Sequence, residues 1–264
     1  MRVLGIDLAW GQRARTGLCA VEHATVVGSA SLRSDAELDA WIQRWRDAEV
    51  LLAIDAPIVV RTLAGRRPCE RVLSRAYGAQ HASPHSSNRS MAAFLDGGRA
   101  SALARRARVS TDPARLGVRP LRAAIEVYPH TALVSLFSLS TSLKYKAKKM
   151  RSPAERRREF ERLIGHLRQF RQMEPPLDVT TSPRWVALVG ELRDAASGAA
   201  LDRLEDELDA YVCAYVGLYH LRWRGTERSM VVGDGRNGYI VTPVDGRQVP
   251  RIRAEARQLG VHVA

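Results

Sequence analysis

Apolar and polar positions divide the chain into short strands and amphipathic helices. Residues 2–8 (RVLGIDL) form an apolar run that predicts a buried strand ending in Asp7. Residues 17–22 (GLCAVE) and 24–32 (ATVVGSASL) predict two more strands, joined by a tight turn near Glu22 and His23. Ser34 and Glu37 have capping-box spacing, and Leu38, Trp41, Ile42 and Trp45 repeat at helical intervals after them. Residues 50–54 (VLLAI) predict a fourth strand, closed by Asp55, Ala56 and Pro57, since Pro57 stops regular pairing.

Residues 58–120 predict short helices and loops, with Gly97–Gly98 and the polar stretch HASPHSSNRS at 81–90. A strand resumes at 121–127 (LRAAIEV), Tyr128 and Pro129 end it, and a helix follows at 130–138. Ser152 as N-cap and Pro153 at the first helical position open a charged helix running to about 171. Pro175 and Pro176 mark a break, and Ser182–Pro183 start a helix with Trp185, Leu188, Val189 and Leu192 on one face. Gly198 separates that helix from another at 201–221. Residues 228–233 and 238–242 predict a hairpin, and a short basic helix at 249–258 closes the pattern. The order implies an α/β fold: one domain over 1–264, a mixed sheet flanked by helices, with residues 58–120 as a long Arg-rich insertion.

Composition narrows the class. A chain of 264 residues can bury a core without staples. Hydrophobic residues at 45% and charged residues at 26% exclude a disordered or fibrous chain. Cys19, Cys69 and Cys213 are too scattered for a disulfide framework or a zinc site. The first ten residues lack a signal-peptide core, and no stretch reaches the ~18 apolar residues of a membrane span. A reduced, cytoplasmic protein with no membrane partner is expected.

The charge is uneven. Net charge is +13, yet residues 61–122 carry +10 and residues 144–171 carry +8, leaving −5 on the other 174. Of 41 basic side chains only four are lysine, and all four (Lys144, Lys146, Lys148, Lys149) fall within one short run. Local basic segments suit a phosphate or polyanion partner, while a solvated Arg-rich surface is the plain alternative.

Carboxylates recur where strands and helices end. Asp7, Asp55 and Glu126 lie at or near the ends of predicted strands, the usual ligand position in open α/β sheets. Asp206 and Asp209, three apart on a predicted helix, share a stripe with Cys213 and Val216. A charge aimed at the core is costly unless paired or bound to a metal. Converging carboxylates repel one another, and a hard cation such as Mg²⁺ or Mn²⁺ resolves that repulsion. Each acid also has a structural alternative: a turn for Asp7 and Asp55, an Arg partner for Glu126, a helix-terminal position for Asp206.

Other candidates are weaker. His81 and His85 lie among serines, but no G-x-S-x-G elbow accompanies them. Cys69 and Cys213 read as buried small residues, and Trp41 and Trp45 as core. Tyr128, Tyr145 and Trp223 sit near basic residues and are candidates for stacking on bases. Gly233-Asp234-Gly235 reads as a hairpin turn or a phosphate loop, and no Walker A or GxGxxG pattern is present.

Together, GIDLA at 5–9, IDAP at 54–57, EVYP at 126–129, YK at 145–146, the DxxDA pattern at 206–210 and GYIVTP at 238–243 resemble a known family. It is the family of predicted RNase H-like nucleases catalogued as domain of unknown function 429, itself similar in design to Holliday junction resolvases. The resemblance implies an RNase H-like fold and a metal-dependent nuclease acting on DNA or RNA. It implies Asp7 as central ligand for Mg²⁺ or Mn²⁺, Asp209 as helix ligand with Asp206 beside it, and Asp55 and Glu126 competing for the strand-borne acid. Lys146 would meet a phosphate, with Lys144, Lys148 and Lys149 alongside. The insertion at 58–120 and the extra helices at 139–200 depart from a typical RNase H domain. Two alternatives stand beside the nuclease: an ATP- or phosphate-dependent enzyme on a related core, and a non-catalytic nucleic-acid-binding module. For the former, Trp10-Gly11-Gln12 offers only one glycine after the first strand.

Overall fold

The structure, a computed structural model, describes residues 1–11 and 14–264; Gln12 of the Trp10-Gly11-Gln12 turn lies outside the described residues. Five apolar runs pair into one sheet: β1 (Arg2–Asp7), β2 (Thr16–Glu22), β3 (Thr25–Leu32), β4 (Val50–Asp55) and β5 (Arg122–Glu126). Their order is β3-β2-β1-β4-β5. β1, β2 and β3 pair antiparallel as successive hairpins, whereas β4 and β5 join parallel to β1. The chain is therefore a mixed α/β protein with helices on both faces of the sheet.

Side chains alternate across a strand, so each strand feeds two layers. Leu4, Ile6, Leu52, Ile54 and Ala124 face helices α1 (Asp35–Trp45) and α3 (Arg99–Ala107). Val3, Cys19, Leu51, Ala53 and Ile125 face the other layer. That layer contains α4 (Pro129–Leu136), α5 (Pro153–Gln169), α6 (Pro183–Asp194) and the 26-residue α7 (Gly198–Trp223). A two-stranded hairpin, β6 (Ser229–Asp234) and β7 (Gly238–Pro243), packs with α2 (Pro68–Tyr77) and α8 (Gln248–Leu259) into a third cluster.

The sequence signals explain several ends. Ser34 and Glu37 form the expected capping box on α1, and Ser152 and Glu155 form another on α5. The last long helix is longer than expected, opening at Gly198 with Ser197 as its cap. The helix expected to reach about 171 stops at Gln169 and tightens into a 3₁₀ turn over Phe170–Gln172. Trp41 and Trp45 are half-buried at the layer edge rather than in the core, and Arg2 and Arg44 lie over the Trp45 ring.

α7 lies directly on β1 and β2, and small residues permit it. A Cβ on Gly5 would fall 2.1 Å from the Ala210 carbonyl oxygen, and one on Gly17 would fall 1.8 Å from that of Asp206. Gly217 meets Val3 and Ala53 at the far end. α7 thus runs antiparallel to β1 and brings Asp206 and Asp209 over the strand end that carries Asp7. Among the described residues, no helix is long and apolar enough to cross a membrane.

Candidate functional site

Asp7 and Asp55 are register partners at the ends of the parallel strands β1 and β4. Register partners in a parallel pair point to the same face, and neighbouring strands are about 4.8 Å apart. Both carboxylates therefore lie on the α7 side, where Asp206 and Asp209 join them. Glu126 pairs with Ile54 instead, one residue out of step with Asp55. Its side chain consequently belongs to the opposite face.

That placement separates Asp55 from Glu126. Arg67 grips both Glu126 oxygens, and the Ile58 N–H donates to Oε2 at 2.9 Å. Arg67 also donates to Glu70 at 2.7 Å, and Glu70 accepts from Ser87. This ion network is almost fully buried. Burial raises the Glu126 carboxyl from its usual range while Arg67 opposes the rise. Glu126, expected as a metal ligand, thus has its oxygens committed to Arg67 and Ile58, although it borders the same cleft.

The four aspartates are held differently. Asp209 is fully buried, and Tyr145 donates its hydroxyl to Oδ1 at 2.6 Å. Lys146 Nζ is 2.7 Å from Asp209 Oδ2 and 4.0 Å from Asp7 Oδ2. The first is an ion pair without hydrogen-bond alignment, so among the described residues Asp7 Oδ2 and Asp209 Oδ2 are buried oxygens with no hydrogen-bond partner. Burial pushes the Asp7 carboxyl well above its ordinary range; Lys146 opposes this, and Asp55, Asp209 and Asp206 add to it. Burial likewise pushes Asp55 up to about 7, against Lys146 and with Asp209. Asp206 also rises to about 7, through burial and then the adjacent Glu205 and Asp209. Burial disfavours the charged form of Lys146, but Asp209, Asp7 and Asp55 outweigh it and keep the ammonium protonated.

Two cavities meet here. The first, about 240 Å³, is lined by Asp7, Asp55, Lys146, Trp10, His85 and Tyr128, among others. The second, about 340 Å³, is lined by Lys144, Lys148, Arg151, Ser142 and His81. Lys146, His85, Tyr128 and His130 border both. Burial, with Lys146 nearby, lowers His130 to about 3, so this wall is a neutral imidazole. Trp10 packs edge-on against Phe94, with ring centroids 4.9 Å apart, and closes the other side.

Of the remaining expected residues, Lys144 and Lys148 line the basic groove, whereas Lys149 is exposed on the loop beyond it. Tyr145 is fully buried on Asp209 and has no face free for a base. Trp223 stands 14 residues beyond Asp209 on α7, about 21 Å along the axis, with Arg222 and Arg228 over its ring. The Gly233–Gly235 segment belongs to the β6–β7 hairpin. Many insertion arginines serve the fold: Arg67, Arg75, Arg99, Arg106 and Arg119 pair with acids. Arg156 in the second basic segment pairs with Asp202 and Glu205. Arg67, His130 and Glu205 join the site without having been expected from the sequence. His130 had a signal, a polar residue directly after a strand end in EVYPH, whereas Arg67 had none.

The donor set is all oxygen, which suits a hard divalent cation, and two of its buried oxygens lack a hydrogen-bond partner among the described residues. Among the described residues, however, no three Asp, Glu, His or Cys groups already stand where they could grip an ion. Lys146 occupies the space between Asp7 and Asp209. The donors thus fit a divalent cation in chemistry, with an ammonium in its place.

One family model matches this chain across residues 5–234, that of a protein of unknown function (DUF429). The chain belongs to the DUF429 family. The match runs from within β1 to the end of β6, so the DUF429 region contains all four aspartates and the lysine run. Neither a curated protein nor a solved structure matches it.

Proposed function

We propose that this protein is a divalent-metal-dependent nuclease with an RNase H-like core. One observation carries the proposal: Asp7 and Asp55 stand side by side on one sheet face, under Asp206 and Asp209 of α7, beside a groove lined by Lys144, Lys148 and Arg151. The strand order β3-β2-β1-β4-β5, with antiparallel hairpins and two parallel additions, supports the RNase H-like assignment. Asp7 and Asp209 would hold Mg²⁺ or Mn²⁺, with Asp55 and Asp206 completing the oxygen set. When bound, the cation supplies charge stabilisation for a phosphodiester and activation of the attacking water.

The chain's own residues do the rest. Tyr145 fixes the rotamer of Asp209 through its 2.6 Å hydrogen bond. Lys144, Lys148 and Arg151 attract the phosphate backbone that the aspartates alone would repel. Arg151 donates to the Lys146 carbonyl at 2.9 Å and so shapes the loop that carries the lysines. Trp10, Tyr128 and His85 wall the cleft and limit water. Glu126, neutralised by Arg67, supports the cleft floor without adding to the acidic charge.

Cleavage of labelled single-stranded, duplex and branched DNA and RNA tests the proposal. Wild-type protein is expected to cut at least one of these with Mg²⁺ or Mn²⁺ and none with chelator. Asp7→Asn and Asp209→Asn are expected to lower the rate at least 100-fold while folding normally. Salt-sensitive binding that ignores metal, with no cleavage, would favour the binding module. Thermal stabilisation by ATP would favour the phosphate-dependent enzyme.

A further inference from the structure

Lys146 enters the acidic cluster from the loop between α4 and α5, and its position differs from that of an ordinary phosphate-binding lysine. Its ammonium lies 2.7 Å from Asp209 Oδ2 and 4.0 Å from Asp7 Oδ2. Among the described residues, no hydrogen bond satisfies either of these two buried oxygens. The lysine charge therefore sits where the two carboxylates most need a cation. Yet the side chain is 28% exposed, makes no aligned hydrogen bond to Asp209 Oδ2, and lies on a flexible four-carbon stem. It also borders both cavities. A swing away from the aspartates carries it towards Lys144, Lys148 and Arg151, where its charge is unwelcome until an anion arrives.

We propose that Lys146 is a resident counter-ion: it fills the cation position of the aspartate cluster and leaves it for the basic groove when a divalent ion and a phosphate bind. The inference rests on the function proposed above. Two consequences follow from charge alone. In the free protein the divalent ion must displace an ammonium, so its affinity is reduced. An anion in the basic groove stabilises the displaced lysine, so anion and metal each tighten the other by the same factor.

Mn²⁺ titration followed by electron paramagnetic resonance tests this on the full chain without substrate. Lys146→Met is expected to bind Mn²⁺ at least tenfold more tightly than wild type. Lys146→Arg, which keeps the charge, is expected to bind like wild type, and so is Lys149→Met, on the exposed loop outside the groove. Sulfate, as an anion probe, is expected to tighten Mn²⁺ binding several-fold in wild type and to have no effect in Lys146→Met. Thermal midpoints give a second readout. Lys146→Met is expected to melt lower than wild type in chelator, because its aspartates lose their counter-ion, and to be restored by Mn²⁺. Equal or weaker Mn²⁺ binding by Lys146→Met overturns the inference while leaving a metal-dependent nuclease standing if wild type still binds the ion. Tight binding by Lys146→Arg overturns it too, since the charge would then be irrelevant. If neither wild type nor Lys146→Met binds Mn²⁺, the inference and the metal-dependent function fall together.

Discussion

Replacing Gly17 with alanine adds one methyl group where α7 crosses β2. That carbon would stand 1.8 Å from the Asp206 carbonyl oxygen, 2.1 Å from its carbon and 2.6 Å from the Glu207 nitrogen. Ordinary contact needs about 3.5 Å, so the helix must lift by roughly 1.5 Å. All three obstructing atoms are backbone, and no side-chain rotation relieves them. Overpacking of this kind costs about 1–3 kcal/mol and occasionally more. With backbone against backbone the expected loss is about 3 kcal/mol, a fall of roughly 6–12 °C in the midpoint for a chain of this size. The lift also carries Asp206 and Asp209 away from Asp7 and Asp55, so Mn²⁺ affinity should fall with stability. Gly165→Ala is the control: it lies inside α5, where an added Cβ meets nothing within 4 Å. It should stabilise by about 0.5–1 kcal/mol. Urea denaturation measures both. A Gly17→Ala protein within about 0.5 kcal/mol of wild type, with unchanged Mn²⁺ affinity, would refute the close helix–sheet contact and its role in assembling the site.

Three further outcomes are expected. Arg67→Met leaves Glu126 and Glu70 buried without their cation and should cost about 3–5 kcal/mol by chemical denaturation; a change below about 1 kcal/mol would contradict the buried network. His220 is buried, shares a 2.8 Å hydrogen bond with Ser229, and is lowered to about 4 by burial and then Arg224. Between about 6.5 and 4 the unfolded chain takes up a proton at His220 that the native chain does not, so stability is lost as pH falls through that window. His220→Gln should flatten that slope by up to one proton. Lys148→Met should reduce the salt slope of nucleic-acid binding by about 0.7–0.9, depending on strandedness, the contribution of one phosphate contact; an unchanged slope would remove Lys148 from the interface.

β1, β4 and β5 were legible because their apolar runs are short and close at Asp7, at Asp55-Ala56-Pro57 and at Tyr128-Pro129, and the capping box of α1 was written in the four residues from Ser34 to Glu37. The aspartate pair on α7 was legible because its stripe continues into Cys213 and Val216, which are fully buried. The faces of the strand-end acids were not. Asp55 and Glu126 both close apolar strands, and only the pairing of Ile54 with Glu126 shows that they point to opposite sides. Arg67 could not be found, because its partner Glu126 is 59 positions away and the intervening insertion has many similar arginines. The charge of that insertion was therefore overread as surface: Arg67 is almost fully buried, and Arg99 and Arg106 tie α3 to Asp35 and Asp39. The clustering of all four lysines did point to the site, yet nothing in the pattern distinguishes Lys146, which enters the aspartates, from Lys149, which stays on the exposed loop.

A crystal grown with Mn²⁺ and measured at the manganese absorption edge would show whether the aspartate cluster holds the ion. An anomalous peak is expected among Asp7, Asp55 and Asp209, with oxygen ligands at distances typical of a hard cation and Lys146 turned towards Lys144, Lys148 and Arg151. Lys146 still seated on Asp209 at saturating Mn²⁺, with no anomalous density between the aspartates, would contradict that expectation.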